Sequence, residues 1–387
     1  MNLRAMGSLD WPVSALGFGA MRLPNKGGLN RLTPDRAQST AIIRSGIDQG
    51  INYVDTAYVY PGSEKAVGEA LKDGYRQRVH LVSKLPVFLT RKTSDFDKYL
   101  ATSIERLQTD HLDAYLLHAM NAGAFEKVQR LGFIDKMVEA RDAGLIRHIG
   151  FSFHDTLPVF KRIVDAFDWD LCQIQYNYMD TCLQAGTEGL EYAADKGIAV
   201  VIMEPLKGGR LANPPAEALE IMRASGVERT PVDWALQFLW NRPEVAVVLS
   251  GMGSQQMVDD NCASADRSGV GTLTPHELET VEKLADVYRR RMAVPCTACR
   301  YCMPCPSGVD IPQNFAIWNN VSMEDGGWNR WRIKRSYKKL ARTPAKVNLE
   351  DPNGSAAVCT KCRKCVPKCP QGIDIPTELA RCEMVLR

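Results

Sequence analysis

No apolar run in the 387-residue chain approaches the length of a membrane span, so a membrane-spanning helix is not expected. The opening "MNLRAMGSLDWPVSALGFGAMRLP" also has no hydrophobic stretch of the secretory kind, and the expectation is a soluble cytoplasmic protein. Nor is there much net charge, only +3 overall, while a hydrophobic content of 45% excludes a disordered or fibrous chain. A chain of this length accommodates one large domain of roughly 250 to 300 residues and a small one.

The charge that is present is unevenly spread. From Met292 onward there are 15 Lys and Arg against 8 Asp and Glu, and before it 33 against 37. A basic end usually points to an acidic partner such as nucleic acid. No recognised nucleic-acid module accompanies it, so no such partner is expected, and a nearer anion is available. Eight of the twelve cysteines lie in "CTACRYCMPCPSGVDIP" from Cys296 and "CTKCRKCVPKCPQGIDIP" from Cys359. The other four, Cys172, Cys182, Cys262 and Cys382, are scattered and read as small buried apolar residues. Without a secretory segment, thiols this dense point to metal rather than disulfides.

The two stretches are an internal duplication. Cys296, Cys299 and Cys302 recur 63 residues later as Cys359, Cys362 and Cys365, whereas Cys305 recurs 64 later as Cys369. Zinc is the competing reading of Cys-x-x-Cys pairs, but CxxCxxC followed by Cys-Pro is the spacing of the bacterial iron-sulfur run. The second copy matches that run, and the first is one residue short before its fourth thiol. Resemblance to two-cluster ferredoxins implies two 4Fe-4S clusters with exchanged fourth ligands. One would use Cys296, Cys299, Cys302 and Cys369, and the other Cys359, Cys362, Cys365 and Cys305. Between the copies, residues 313–355 form an insertion with Trp318, Trp328, Trp331 and the basic run "RWRIKRSYKKLAR". It reads as a cationic helix packed on the cluster domain, or more sharply as a docking surface for an acidic, ferredoxin-like electron carrier.

The first 291 residues have a different character. Seven short runs, near-continuously apolar and rich in β-branched residues, begin at Ile51, Val79, Leu112, Ile146, Leu171, Ile198 and Val245, separated by amphipathic segments such as "FDKYLATSIERLQ". An eighth run is expected near Val270. This alternation reads as a (β/α)8 TIM barrel of the α/β class over residues 1–291, with a doubly wound open sheet left as the alternative by the count alone, and the cysteine runs place an α-rich ferredoxin-like domain over 292–387.

In such a barrel chemistry gathers at the C-terminal ends of the strands. Asp55, Lys84 and His118 end three consecutive runs, and Tyr60 follows in the first loop. Hydride reduction of a carbonyl needs a proton donor, and a tyrosine donates poorly at neutral pH unless a nearby cation stabilises its phenolate. Lys84 would supply that charge, Asp55 would hold Lys84, and His118 would bind the substrate oxygen.

"DTAYVYPGSEKAVGEAL", "LVSKL", "LDAYLLHA", "IGFSFH" and "MEPLKGGRL" together resemble the signature stretches of the aldo-keto reductases. The resemblance implies a barrel closed below by an N-terminal hairpin, and a catalytic tetrad of Asp55, Tyr60, Lys84 and His118. It further implies that Ser152 and Gln173 hold the nicotinamide carboxamide, with Phe153 in place of the usual Asn. Met203 would stand where an aromatic ring often stacks on the nicotinamide. Pro205, Leu206, Lys207, Gly208 and Arg210 would surround the pyrophosphate, and Gly251, Met257, Asp260 and Asn261 would meet the adenosine end. Gly251 and Met257 replace basic residues common in NADP-preferring members, which leaves NADH and NADPH both open with the balance towards NADH. The expected activity is NAD(P)H-dependent reduction of a carbonyl or related unsaturated small molecule. Hydride chemistry moves two electrons and a cluster moves one, so two further readings stand beside it: a cluster-fed oxidoreductase using a flavin or direct one-electron reduction, and a non-catalytic electron-transfer subunit.

Overall fold

The computed structural model describes residues 1–25, 33–296, 302–341, 354–369 and 371–387. An antiparallel hairpin, β1 (Leu3–Met6) and β2 (Leu9–Ser14), precedes eight parallel strands. These are β3 (Leu16–Gly19), β4 (Tyr53–Asp55), β5 (His80–Leu85), β6 (Leu112–Met120), β7 (Ile146–Phe153), β8 (Leu171–Gln175), β9 (Ala199–Met203) and β10 (Val245–Ser250). They close in sequence order, with β10 pairing to β3. The seven apolar runs therefore supply β4 to β10. The eighth strand is not near Val270, which lies in a turn; it is "LGFG" at Leu16. Four residues, two of them glycine, give a pattern reading too little periodicity to register.

Alternation along each strand sorts side chains between two cores. Tyr53, Val82, Ala114, Leu116, Leu171, Val201 and Val247 point inward and pack with Met6, Trp11 and Val13 of the hairpin, which plugs the barrel floor. Val54, Leu81, Tyr115, Leu117, Ile149 and Phe151 point outward into the layer of helices. Gly150 sits among the inward set, where a Cβ would lie 2.4 Å from the Leu171 carbonyl oxygen and 2.7 Å from Leu116 Cδ2. Neither neighbour has room to retreat. Gly150→Ala is therefore expected to cost about 3 kcal/mol or more, read as a lowered midpoint in chemical denaturation of the barrel.

By packing, residues 1–212 with 229–278 form one compact unit, and residues 213–228 with 279–387 form another. In the second unit the duplicated "G-V/I-D-I-P" produces the same event twice. Asp310 and Asp374 each precede a helix whose second residue is proline, Ile311–Met323 and Ile375–Leu386. Proline is tolerated there because its missing N–H has no partner in the first turn. Between them lies a third helix, Gly327–Leu340.

Two buried asparagines of the first of these helices pin the chain ahead of each cysteine run. Asn319 exchanges two hydrogen bonds with the backbone of Val294, at 2.9 and 2.8 Å. Asn314 donates to the Gly354 carbonyl at 2.8 Å and accepts from the Ala356 N–H at 2.8 Å. Trp318, Phe315, Ile375, Leu379 and Cys382 fill the small core, which also buries Cys302 and Cys305. Among the described residues no helix is long and apolar enough to cross a membrane.

Candidate functional site

A spacing of two along β4, β5 and β6 brings the polar strand-end residues to the inward face, one layer above Tyr53, Val82 and Leu116. The Lys84 ammonium donates to both Asp55 carboxylate oxygens at 2.6 and 2.7 Å and to the Thr56 carbonyl at 2.8 Å. Its nitrogen also lies 5.2 Å from the centroid of the Tyr60 ring, near enough for its charge to act on the phenol. The Tyr60 and His118 rings meet edge to face, their centroids 5.8 Å apart. Phe88 borders His118 at 6.2 Å and is more than half exposed, placing an aromatic wall beside the site. The structure thus gathers all four residues expected from the strand ends.

Electrostatics here are set by burial. Desolvation works to lower the Lys84 pKa, but Asp55 and Tyr60 outweigh it, and the ammonium is held charged. The Asp55 carboxyl is raised by burial, an effect that Lys84 and Gln173 offset only in part. Tyr60 corrects the expectation of an acidified phenol: burial raises its pKa, and Lys84 opposes the rise without reversing it. The phenol keeps its proton at neutral pH, and the ammonium stands ready for the charge left behind once the proton goes. His118 is driven down to about 3 by burial, then by Lys84 and His154. Its imidazole is neutral under ordinary conditions, and Nδ1 meets no hydrogen-bond partner among the described residues.

The nicotinamide-side residues are placed as follows. Ser152 Oγ accepts from the Ala119 N–H at 2.8 Å, leaving its own hydrogen to give. Gln173 Nε2 donates to Asp55 at 3.2 Å, leaving its carbonyl oxygen and a second N–H. Phe153 does not line the site. Its ring is fully buried against Phe160, centroids 5.0 Å apart, in the helix layer, because it follows inward-facing Ser152 by one position. The side chain that does come near His118 is His154, which also meets Gln184 and the Glu204 charge. Met203 is partly exposed at the end of β9, and Pro205 is buried beyond it.

The two cations expected around the pyrophosphate are partly committed. Lys207 is paired with the buried carboxylate of Asp180, and Arg210 lies near Asp180 and Glu204. Arg22 escaped the sequence reading. Its stem packs on Gly251, where a Cβ would stand 3.5 Å from it, and its guanidinium reaches the Gly208 carbonyl at 3.4 Å. It bridges two loops that meet only because β10 closes on β3, a pairing no local pattern encodes. In the adenosine-side segment Asn261 donates to Ser250 Oγ at 3.0 Å, Asp260 accepts from Gln256 at 2.8 Å, and Met257 is exposed with its sulfur 3.5 Å from the Gly253 N–H.

A 272-residue match decides what kind of barrel this is: the model of the "Aldo/keto reductase family" fits residues 15–286. The chain belongs to the aldo/keto reductase family. This aldo/keto reductase is an oxidoreductase enzyme, and its residues 295–374 match the "4Fe-4S dicluster domain". It is similar to L-galactose dehydrogenase of Arabidopsis thaliana, 27% identical over 73% of this chain and 94% of that one. It is also similar to the methylglyoxal reductase YeaE of Escherichia coli, 39% identical over 46% of this chain and 61% of that one. Among solved structures, an aldo/keto reductase from Klebsiella pneumoniae in complex with NADP and acetate matches with a TM-score of 0.58, 26% identity, and coverage of 73% and 95%.

The C-terminal match of this reductase implies a 4Fe-4S cluster, whose ligands would be thiols. Cys302, Cys305, Cys359, Cys362 and Cys365 line a cavity of about 260 Å³, with Arg363, Lys364 and Lys368 on its wall. Burial raises the Cys365 thiol, and Cys305, Cys359 and Cys362 lie close enough to raise it further. A hydrogen bond of 2.9 Å between the Ser307 and Thr360 hydroxyls ties the segment after Cys305 to the segment after Cys359. In a tetrahedral zinc site, sulfurs sit about 4 Å apart around one point. Among the described residues no such convergence of three ligands occurs; the thiols instead stand around a space. Five thiols around one space, with cations beside them, suit a 4Fe-4S cube. Cys296, Cys302 and Cys369 are at least half-buried, and Cys299 lies outside the described residues.

Proposed function

We propose that this protein reduces the carbonyl group of a small polar molecule with a nicotinamide nucleotide, and that Tyr60 donates the proton. The observation that carries this reading is the chain of contacts from Asp55 to Lys84 to the Tyr60 phenol, set edge to face against a neutral His118. A bound nicotinamide would supply hydride to the carbonyl carbon. The residues of the chain do the rest. His118, with an unpartnered buried nitrogen, orients the carbonyl oxygen, and Tyr60 passes its proton to that oxygen as negative charge develops. Lys84 then stabilises the phenolate, while Asp55 keeps Lys84 in place. The remaining donors of Ser152 and Gln173 suit an amide, and Met203 presents a polarizable face. Relatives named for methylglyoxal and L-galactose support a small polar substrate.

For the phosphates we infer a role for Arg22 beside the open backbone at Gly208 and Gly251. Arg22→Met is expected to weaken nucleotide binding about 10-fold or more, the scale of a lost charge-assisted hydrogen bond, with a much smaller change in kcat. Quenching of NADH and NADPH fluorescence measures this. The same anaerobic titration tests the whole reading. Oxidation of either nucleotide in proportion to added methylglyoxal supports it, whereas turnover that requires released flavin, or none with any carbonyl, sinks it.

We further propose two clusters per chain, with Cys305 completing the set of Cys359, Cys362 and Cys365, and Cys369 completing that of Cys296, Cys299 and Cys302. Cys305 lines one cavity with the later triplet, alongside Cys302, and that proximity supports the exchange. Each cluster would pass single electrons to or from a protein carrier.

A further inference from the structure

The helix Gly327–Leu340 has two unlike faces. Ile333, Tyr337 and Leu340, at a spacing of four and three, pack into the core of the second unit. Trp328, Trp331, Arg332, Arg335, Lys338 and Lys339 recur at helical spacing on the other side, and all six are exposed. Trp328 is 72% exposed and Trp331 48%, yet their rings stack on each other at 4.9 Å and 23°. The Arg335 guanidinium lies over the Trp331 ring at 4.9 Å. The helix carries six cationic side chains and no acidic one. Arg332, Lys334 and Lys338 form no ion pair with any described residue. Two large indoles left in water beside unneutralised charge are what a partner surface shows, since tryptophan and arginine concentrate binding energy at interfaces.

We propose that this face docks an acidic one-electron carrier protein, resting on the reading that the thiols hold clusters. Charge complementarity argues for an anionic partner, and the helix's attachment argues for a redox one. Tyr337 bonds the Glu383 carboxylate and accepts from the Ala356 N–H at 3.2 Å. The Ala356 carbonyl in turn accepts from the Cys359 N–H at 3.1 Å. Two hydrogen bonds through Ala356 thus join the docking helix to the backbone of Cys359, the first cysteine of the second run. In the docked pair the reduced carrier loses one electron and the cluster gains it. No bond forms and no proton moves in that step.

The test is calorimetric titration of the full-length, iron-loaded protein with an acidic plant-type [2Fe-2S] ferredoxin. Parallel arms use basic cytochrome c, a dT12 oligonucleotide, and phosphatidylserine vesicles. Expected is ferredoxin binding that weakens about 10-fold or more between 50 and 300 mM salt, and about 10-fold or more in Arg332→Glu/Arg335→Glu and in Trp328→Ala/Trp331→Ala. All six side chains are exposed, so circular dichroism should match the parent; if a Glu variant misfolds, Arg332→Gln/Arg335→Gln takes its place. Absence of ferredoxin binding, binding indifferent to the variants, or tighter binding of cytochrome c, dT12 or vesicles overturns the proposal. Iron content and the absorption near 400 nm, read on the same sample, report separately on the cluster reading. A brown protein that ignores ferredoxin defeats the docking face alone, and a colourless, iron-free one defeats the cluster reading beneath it.

Discussion

Tyr60→Phe lowers kcat for carbonyl reduction by about 10³-fold, within the range for loss of a positioned general acid, while nucleotide affinity stays within a few-fold of the parent. The phenyl ring keeps the edge contact with His118 and the packing at the mouth; only the transferable proton goes. Lys84→Met is expected to fall as far, because it removes the charge that receives the developing phenolate and leaves the Asp55 carboxylate buried without its partner. The pH dependence follows from the directions found at the site. The acid form of Tyr60 is the active one, and burial raises its pKa, so kcat/KM falls only as pH rises past the ordinary tyrosine value. His118, at about 3, becomes cationic only in strong acid, so it contributes no limb between pH 5 and 8. Stopped-flow single turnovers from pH 5 to beyond the ordinary tyrosine value check both statements, and a rate that Tyr60→Phe leaves untouched removes the phenol from the mechanism.

The second large effect concerns iron. Single cysteine variants cannot tell exchanged from unexchanged fourth ligands, because either arrangement loses one cluster. Pairs can. With exchange, Cys305→Ala/Cys359→Ala strikes one cluster twice and leaves about 4 iron per chain, whereas Cys305→Ala/Cys296→Ala strikes both and leaves almost none. Without exchange the two results swap. Anaerobic iron and sulfide assays read this directly. The shared cavity of Cys305 with Cys359, Cys362 and Cys365, and the Ser307 to Thr360 hydrogen bond, favour the first outcome.

Several features were legible from sequence because they rest on local pattern. β4 to β10 are apolar runs buried on both faces, which is how parallel strands read. Asp55, Lys84 and His118 end such runs, and the barrel converts strand ends into neighbours. The duplication announces itself through cysteine arithmetic and repeats as two proline-started helices.

The misreadings have equally definite causes. β3 was too short and too rich in glycine, and Val270 offered a small apolar run that tertiary context leaves in a turn. The Tyr60 shift was misjudged because a nearby cation shows in the sequence and the extent of desolvation does not. Arg22 and His154 become relevant only when distant segments are brought together by closure of the barrel.

Cys305 shares its cavity with thiols that appear 54 to 60 residues later in the chain. During synthesis, therefore, the earlier repeat emerges from the ribosome with a binding site still missing most of its wall. If that cavity takes a cluster as proposed, iron insertion there waits until the second repeat has been translated.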